Sequence, residues 1–228
     1  MTAADVLQEL EGLGSEQTRK TFRRHGAGDN LYGVKFGDLE KLRKKIKIDH
    51  DLALELWATG NYDARNLALM IADPAKATEK MLNAWIKDVD NYGHADAVGK
   101  YAARTSFARK LAEKWAYSDR EWTGQAGWAL LAAMASGNEI PDEYFEPWLV
   151  GIGQDIHARK NYVRYAMNSA LIAIGSRGGS LAEHAIATAV RIGKVEVDYG
   201  ETNCKTPDAA QYIEKTLEHR TKKKKAAA

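Results

Sequence analysis

The sequence predicts an all-α protein made of short helices that pack as antiparallel pairs. Apolar residues recur at helical spacing along nearly the whole chain, and only residues 194–199, KVEVDY, alternate as a strand would. Three of the four prolines, Pro74, Pro141 and Pro207, stand where helices are expected to start, because the N–H that proline lacks has no helical partner there. About a dozen helices of about 10 to 18 residues account for this spacing.

The predicted helices follow one another with short connections. A first amphipathic helix contains Leu7, Leu10 and Leu13, and Ser15 caps the basic helix that follows it. Beyond a loop at residues 26–33, the apolar spacing predicts helices around residues 39–46, from 52 onwards, and over 62–71, 75–89, 91–104, 107–115, 119–135, 142–153, 157–174, 181–192 and 207–219.

A degenerate repeat organises these helices. Residues 55–61, ELWATGN, resemble residues 113–119, EKWAYSD, and each stretch ends one helix at Trp-Ala and starts another. The second helix of each pair is rich in small residues, as in GQAGWALL at 124–131. Such pairs are typical of an α-solenoid of the HEAT type, whose inner helices line a concave surface. We therefore expect a right-handed α-solenoid with a concave basic groove, one domain over residues 1–220, and a disordered Lys-rich tail at 221–228.

Composition narrows the class of protein. The chain has 228 residues, of which 45% are apolar, and its formal net charge is +2. No apolar run approaches the ~20 residues that span a bilayer, and the first residues lack the pattern of a signal peptide. Cys204 is the single cysteine, so an internal disulfide is excluded. We expect a cytoplasmic monomer without a membrane partner.

The basic residues are clustered, although the net charge is small. A chain that segregates its charge can present one positive face to a polyanion; ordinary solvated helix faces are the alternative. The clusters that matter below contain Lys44 and Lys45 in the first half of the chain, and Arg159, Lys160 and Arg164 in the second.

The stretch NYGHADAVGK at residues 91–100 is the first candidate for a site. Read as a helix, it places Tyr92 and Asp96 four residues apart on one face, surrounded by Gly and Ala. A face with so little bulk lets a large partner approach the backbone. The alternative is that Tyr92 belongs to the core and Asp96 caps or salt-bridges a neighbouring helix.

Metal and cofactor sites have little support in the sequence. The six histidines show no metal-ligand spacing, and the lone cysteine cannot complete a set. The glycine-rich stretch at 175–179 follows a helix rather than a strand, so a turn is expected there instead of a phosphate loop. We expect no metal and no cofactor.

Four stretches together resemble one known family. They are GVKFGDLEKLR at 33–43, YGHAD at 92–96, SDREW at 118–122 and VRYAMNSAL at 163–171. In order and spacing they are similar to the AlkD-like DNA alkylation repair family, the HEAT-like-repeat DNA glycosylases. The resemblance spans residues 5–193, and we expect the segment after Lys194 to lie outside it.

This resemblance implies that the chain binds double-stranded DNA in its concave groove and is associated with the nucleoid. Active members of the family remove cationic N3- and N7-alkylpurines. Asp96 matches the catalytic aspartate, which stabilises positive charge on the sugar when the N-glycosidic bond breaks. Tyr92 takes the place of an aromatic residue, usually Trp, in the same cleft, where it would contact the lesion or the sugar.

Two positions depart from the family pattern. Gln125 stands where active members have an arginine, and Ser169 stands where they have a second cleft tryptophan. Gln cannot neutralise a phosphate, and Ser cannot stack on a base. Trp122 and Arg164 could compensate for these two departures. The residues expected to contact the substrate besides Tyr92 are Trp122, Gln125 and Ser169. The cations expected at the DNA backbone are Lys44, Lys45, Arg159, Lys160 and Arg164.

Three hypotheses therefore remain open from the sequence. The chain is a DNA glycosylase that uses Asp96, a non-catalytic protein of the same family that binds DNA structures, or a HEAT-like scaffold for protein interactions. Salt dependence separates the third from the others, because binding to phosphates weakens steeply as salt rises.

Overall fold

The computed structural model describes residues 1–226, and over them the chain forms thirteen α-helices joined by turns, loops and three short 3₁₀ helices. The α-helices of the first half are α1 (Ala3–Leu13), α2 (Glu16–Arg24), α3 (Phe36–Ile46), α4 (His50–Ala58), α5 (Tyr62–Ile71), α6 (Glu79–Lys87) and α7 (Tyr92–Ala102). Those of the second half are α8 (Ala108–Trp115), α9 (Glu121–Ser136), α10 (Glu146–Asp155), α11 (Asn161–Gly175), α12 (Gly179–Ile192) and α13 (Ala209–Ala226). The 3₁₀ helices are Pro74–Lys76, Asp142–Tyr144 and Ile156–Ala158.

The chain divides into two compact units, and the single domain expected over residues 1–220 stays a prediction. The first unit contains Met1–Phe107 and the short segment Tyr199–Asn203. The second contains Ala108–Asp198 and the segment that starts at Cys204. Both units contain buried apolar side chains, among them Leu39 and Leu67 in the first and Leu130 and Leu171 in the second.

In the first unit, α5 packs against α3, α4 and α7. The side chain of Asn61 caps α5 by accepting from the N–H groups of Asp63 and Ala64, and the side chain of Asn91 caps α7 by accepting from the N–H of His94. Trp57 and Trp85 stack with ring centroids 4.4 Å apart and are both buried. The helix starts are therefore fixed by side-chain caps, and the helix faces by large buried rings.

A buried carboxylate fixes the loop between α2 and α3. Asp63 is 0% exposed and accepts hydrogen bonds from the backbone N–H groups of Tyr32 (2.7 Å), Gly33 (3.0 Å) and Val34 (2.9 Å). Gly33 has φ +77°, a conformation that other residues rarely adopt. The loop is thereby tied to the start of α5, which sets where α2 ends and α3 begins.

In the second unit, α9 and α11 form the central pair, with α8 against α9 and with α12 and α13 against α11. The small residues of α9 allow this close packing. A Cβ at Gly127 would overlap the backbone of Ala116, and the indole N–H of Trp128 donates to the carbonyl oxygen of Ala116 at 3.0 Å. The Trp-Ala repeat thus marks the place where a second helix approaches the end of the first.

Two local expectations differ from the structure. Residues 194–199 form neither strand nor helix; Asp198 instead exchanges hydrogen bonds with the side chain of Asn161 at 2.7 and 2.8 Å. Residues 221–226, expected in a disordered tail, continue α13, and residues 227 and 228 lie outside the described part. Lys and Ala favour helix, and Lys222 lies 3.8 Å from Glu218 one turn earlier, so the helix continues.

None of the helices within residues 1–226 is both long enough and apolar enough to cross a membrane.

Candidate nucleic-acid interface

Helix α7 places Tyr92 and Asp96 on one face, as the four-residue spacing predicts. His94, Ala95, Val98 and Gly99 of this helix are buried, whereas Tyr92 and Asp96 keep intermediate exposure. Gly93 lies beside them, and a Cβ there would come within 3.1 Å of the Tyr62 hydroxyl. This face of α7 is therefore closely packed near the start of the helix. It carries the phenol of Tyr92 and the carboxylate of Asp96 at its surface.

The hydroxyl of Tyr92 forms a hydrogen bond with Nδ1 of His25 over 2.5 Å, and the two ring centroids are 6.1 Å apart. His25 directly follows the last turn of α2, which carries Arg23 and Arg24. This contact joins residues 67 positions apart and brings a basic helix end to the aromatic member of the site. The sequence analysis missed His25, because no local pattern signals a partner so distant in the chain.

The buried side chain of His94 holds α7 in place through two hydrogen bonds. Its Nε2 hydrogen bonds to the carbonyl oxygen of Tyr62 (3.2 Å), which only accepts, so Nδ1 is left to accept from the Asn91 side chain (3.1 Å). Burial lowers the pKa of His94 from 6.5 to about 4, so the ring is neutral at pH 7. A neutral ring with both nitrogens bonded fixes the rotation of α7 and hence the direction of its Tyr92–Asp96 face.

A row of aromatic rings leads from this anchor to the surface. The Tyr62 ring lies 4.4 Å from that of His94, Phe22 lies 5.1 Å from Tyr62, and Phe36 lies 6.0 Å from Phe22. Phe36 ends the row with 56% of its surface exposed. The first unit thus supports α2, α3 and α7 on one continuous set of ring contacts.

The predicted DNA-backbone lysines of the first unit both lie on α3 and are exposed. Nζ of Lys45 lies 3.0 Å from a carboxylate oxygen of Glu9, so its charge is partly matched within the protein. Lys44 is the more accessible cation for a phosphate.

The other predicted contacts belong to the second unit. Trp122 and Gln125 lie on α9, and the Trp122 ring packs on Tyr162 at 5.4 Å. Gln125 is 0% exposed, so in this structure it presents no surface to a DNA phosphate. Helix α9 has small and apolar residues on all sides and is buried along most of its length, which explains why a polar side chain in its middle lies inside.

Ser169 lies on α11, where its hydroxyl donates to the Tyr165 carbonyl oxygen at 3.1 Å. This bond to its own helix is the usual one for a serine inside a helix. Ser169 has intermediate exposure and lines a cavity of about 810 Å³ together with Arg177, Tyr212 and Arg220.

The cations at the start of α11 make structural contacts. Arg159 donates to the carbonyl oxygens of Ala116 (3.2 Å) and Ser118 (3.0 Å), and Lys160 donates to that of Asp119 (2.7 Å). Arg164 lies 3.5 Å from the Asn161 side-chain oxygen and is partly buried. These acceptors are uncharged, so the positive charges persist beside the turn from α8 to α9.

The predicted site residues are thus divided between the units. Tyr92, Asp96, Lys44 and Lys45 belong to the first, and the structure brings Tyr92 and Asp96 together. The others belong to the second: Trp122, Gln125, Arg159, Lys160, Arg164 and Ser169. Among the residues described, no group of three or more His, Cys, Asp or Glu side chains is arranged to hold a metal ion.

Comparison with known proteins identifies the relatives of this chain. The sequence model of a family described as "DNA alkylation repair enzyme" matches residues 6–222. This match extends well beyond Lys194, where we had expected the resemblance to end. The uncharacterized protein Lin0241 of Listeria innocua is 35% identical over 217 residues, covering 91% of this chain and 93% of its own. The uncharacterized protein Lmo0209 of Listeria monocytogenes is 34% identical over 220 residues, covering 94% and 96%.

A solved structure is similar over almost its whole length. It superposes with a TM-score of 0.89 at 31% identity, covering 96% of this chain and 95% of the other. That protein is described as belonging to a new family related to the HEAT-like repeat DNA glycosylases, with affinity for branched DNA structures. The predicted all-α fold of the HEAT-like type is confirmed.

Proposed function

The chain belongs to the family of DNA alkylation repair enzymes, and from this premise we propose that it binds branched DNA without excising bases. One observation carries the proposal: the solved structure with affinity for branched DNA is similar to this chain in sequence and fold over nearly the full length of both. Similarity of this extent places the same helices and loops at the same places. A DNA surface on one is therefore expected on the other.

The charge and ring pattern of the first unit supports DNA binding. Lys44 is exposed on α3, Arg24 is exposed at the end of α2, and the Phe36 ring is exposed at the start of α3. Cations contribute affinity through phosphates and release of counterions, whereas rings contact unstacked bases. A branched DNA offers both at one place, because base stacking is interrupted at the branch.

The second unit supports binding rather than base excision. Gln125 replaces the expected arginine and is buried, and Ser169 replaces the expected tryptophan and bonds to its own helix. At these two positions the second unit therefore offers neither a phosphate clamp nor a stacking ring. Holding a substrate in the reactive geometry supplies a large share of enzymatic rate enhancement, so both losses reduce catalysis more than simple binding.

Base excision is the second candidate, favoured by the partly exposed carboxylate of Asp96 on the same helix face as Tyr92. When the N-glycosidic bond of a cationic alkylpurine breaks, its electron pair leaves with the neutral base and positive charge stays on the sugar. A carboxylate beside the sugar stabilises this cation, and water then adds to C1′ and loses a proton. Asp96 would stabilise the cation, and Tyr92 would contact the lesion.

The test measures DNA affinity and base release on the same preparation. Fluorescence anisotropy compares a four-way junction with a linear duplex at several salt concentrations, and chromatography detects free base from methylated duplex. We expect tighter binding to the junction, steep loss with salt, and no base release above the level of Asp96→Asn. Lys44→Gln should lower the salt slope by about 0.9 if it contacts one duplex phosphate, whereas Lys76→Gln should leave the slope unchanged.

The other outcomes decide between the alternatives. Base release by the wild type that disappears in Asp96→Asn would establish the glycosylase. Absence of DNA binding at low salt would leave the interaction scaffold.

A further inference from the structure

Helix α13 presents an exposed face whose role is not accounted for above. Tyr212, Lys215 and His219 follow one another at intervals of three and four residues, and Lys222 and Lys223 lie three and four residues beyond His219. All five therefore lie along one side of the helix, and we call them the α13 surface. Tyr212 is 53% exposed. This side chain is therefore available to a partner that approaches from solvent.

The opposite side of α13 is firmly packed. Ala209 and Ile213 are buried, and the helix lies against α11 and α12. A Cβ at Gly175 would collide with the side chains of Ile213 and Ala185, so α13 uses the room that this glycine leaves. The α13 surface therefore has a fixed position on the second unit and differs from a flexible polycationic tail.

Two adjoining hollows flank the α13 surface. The larger, of about 810 Å³, is lined by α13, by Ser136 at the end of α9, by Asn138 in the segment that follows α9, and by Ser169 of α11. The smaller, of about 280 Å³, is lined by α13 alone, through Tyr212, Lys215, Thr216, His219 and Arg220. Tyr212, Thr216 and Arg220 line both, so Tyr212 lies on the border between the two hollows.

The charges around these hollows are mainly positive. Arg220 donates to the uncharged carbonyl oxygen of Ser176, so its charge is not matched by that bond. Arg177 also lines the larger hollow, but it pairs with Asp142 at 2.6 Å. Lys215 and Lys223 extend the positive charge along the helix, whereas Lys222 lies 3.8 Å from Glu218. An anionic chain fits this arrangement better than a neutral or cationic one.

We propose that the α13 surface, with Arg220, binds a single-stranded DNA segment, in which one base stacks on Tyr212 and Lys215, Arg220 and Lys223 contact phosphates. An exposed ring within a basic channel is the usual arrangement for single strands, because every base offers a flat face. Bases inside a duplex are already stacked, so they cannot reach such a ring. The inference rests on the proposed function, since a branched DNA can carry single-stranded flaps.

The experiment uses the full chain and three DNA probes of matched length: an oligothymidylate, a linear duplex, and a duplex with an oligothymidylate flap. Affinities are measured by fluorescence anisotropy at several salt concentrations. The variants are Tyr212→Ala, Tyr212→Phe and the double change Lys215→Gln with Lys223→Gln. Lys76→Gln with Lys80→Gln is the control, because it removes the same charge from exposed positions in the first unit.

We expect Tyr212→Ala to weaken oligothymidylate binding about 10-fold, and Tyr212→Phe to retain it, since stacking needs the ring and not the hydroxyl. The lysine double variant should lower the single-strand salt slope by about 1.4, at about 0.7 per phosphate contact. Flap DNA should follow the oligothymidylate, whereas the linear duplex should change little. A chain ending at Lys223 should bind the oligothymidylate as well as the full chain.

Several results would overturn the inference. These are wild-type affinity in Tyr212→Ala, an equal slope change in the control double variant, and loss of single-strand binding in the chain that ends at Lys223. Competition by an acidic polypeptide as effective as the oligothymidylate would assign the surface to a protein partner instead. If the wild type binds junction and duplex while every α13 variant matches it, only this inference fails. If it binds no DNA, the proposed function fails as well.

Discussion

The two units fix their irregular segments with opposite charges. In the first, the Asp63 carboxylate accepts three backbone N–H groups of residues 32–34. In the second, the Arg177 guanidinium donates to the carbonyl oxygens of Ala135, Gly137 and Ile140. The Asp63 carboxylate thus accepts from backbone N–H groups, and the Arg177 guanidinium donates to backbone carbonyl oxygens. In each loop a single side chain satisfies several otherwise unpaired backbone groups.

The two anchors differ in burial, and this difference sets their expected energies. Asp63 is fully buried, whereas the Arg177 side chain is 12% exposed and its partner Asp142 is 52% exposed. Groups that water can reach lose less when their partner is removed. The loop next to the Tyr92–Asp96 face therefore depends more on its anchor than the turn after α9 does.

Replacement of Asp63 should give the largest effect. Asp63→Ala leaves three backbone N–H groups without their acceptor, and we expect it to lower the free energy of unfolding by about 3–5 kcal/mol. Asp49→Ala is the matched control, because that carboxylate caps α4 through one N–H (Leu52, 3.1 Å) and should cost about 1 kcal/mol. Urea unfolding measures both; equal losses would mean that the three bonds add nothing beyond an ordinary cap.

Acidification should destabilise the first unit through His94. The pKa of His94 is about 4 in the folded protein and 6.5 in the unfolded chain, so the unfolded state binds a proton first as pH falls. The contribution of His94 to the free energy of unfolding is therefore fully present above about pH 6.5. It falls by about 3 kcal/mol in total as the pH approaches 4. The measurement compares the unfolding free energy of wild type and His94→Asn from pH 7.5 to 4; the difference between them should shrink over this range. A constant difference would show that His94 does not titrate as described.

Replacement of Arg177 should lower the free energy of unfolding by less than the Asp63 replacement or the protonation of His94 does. Arg177→Met removes the donors to three carbonyl oxygens and the guanidinium that lies 4.9 Å from the centre of the Phe145 ring, at an expected cost of about 2 kcal/mol. Arg177→Lys keeps the charge, yet a single ammonium cannot reach all these acceptors, so it should recover less than half. Hydrogen exchange should report faster opening around residues 135–142. A loss larger than that of Asp63→Ala would reverse the comparison.

Sequence reasoning predicted the regular parts of the fold and the shared helix face of Tyr92 and Asp96, because a helical repeat places residues four apart on one side. That these two residues form a functional site stays a prediction. The pairs that join distant segments, such as Asp63 with residues 32–34, have no local signal, since the partners are set by packing. The burial of Gln125 could have been predicted, because α9 has no polar side on which a glutamine would reach water.

The contact between Tyr92 and His25 should give the smallest effect, and it tests whether the candidate face is held by its neighbours. Both side chains are only partly buried, so water can replace the lost bond, and Tyr92→Phe should cost about 1 kcal/mol. His25→Leu should cost a similar amount. If the 2.5 Å bond accounts for both, the double variant should be no less stable than the worse single variant, with a coupling energy of about 1 kcal/mol. Additive losses would mean that each residue stabilises the end of α2 independently, and that α7 presents Tyr92 without help from His25.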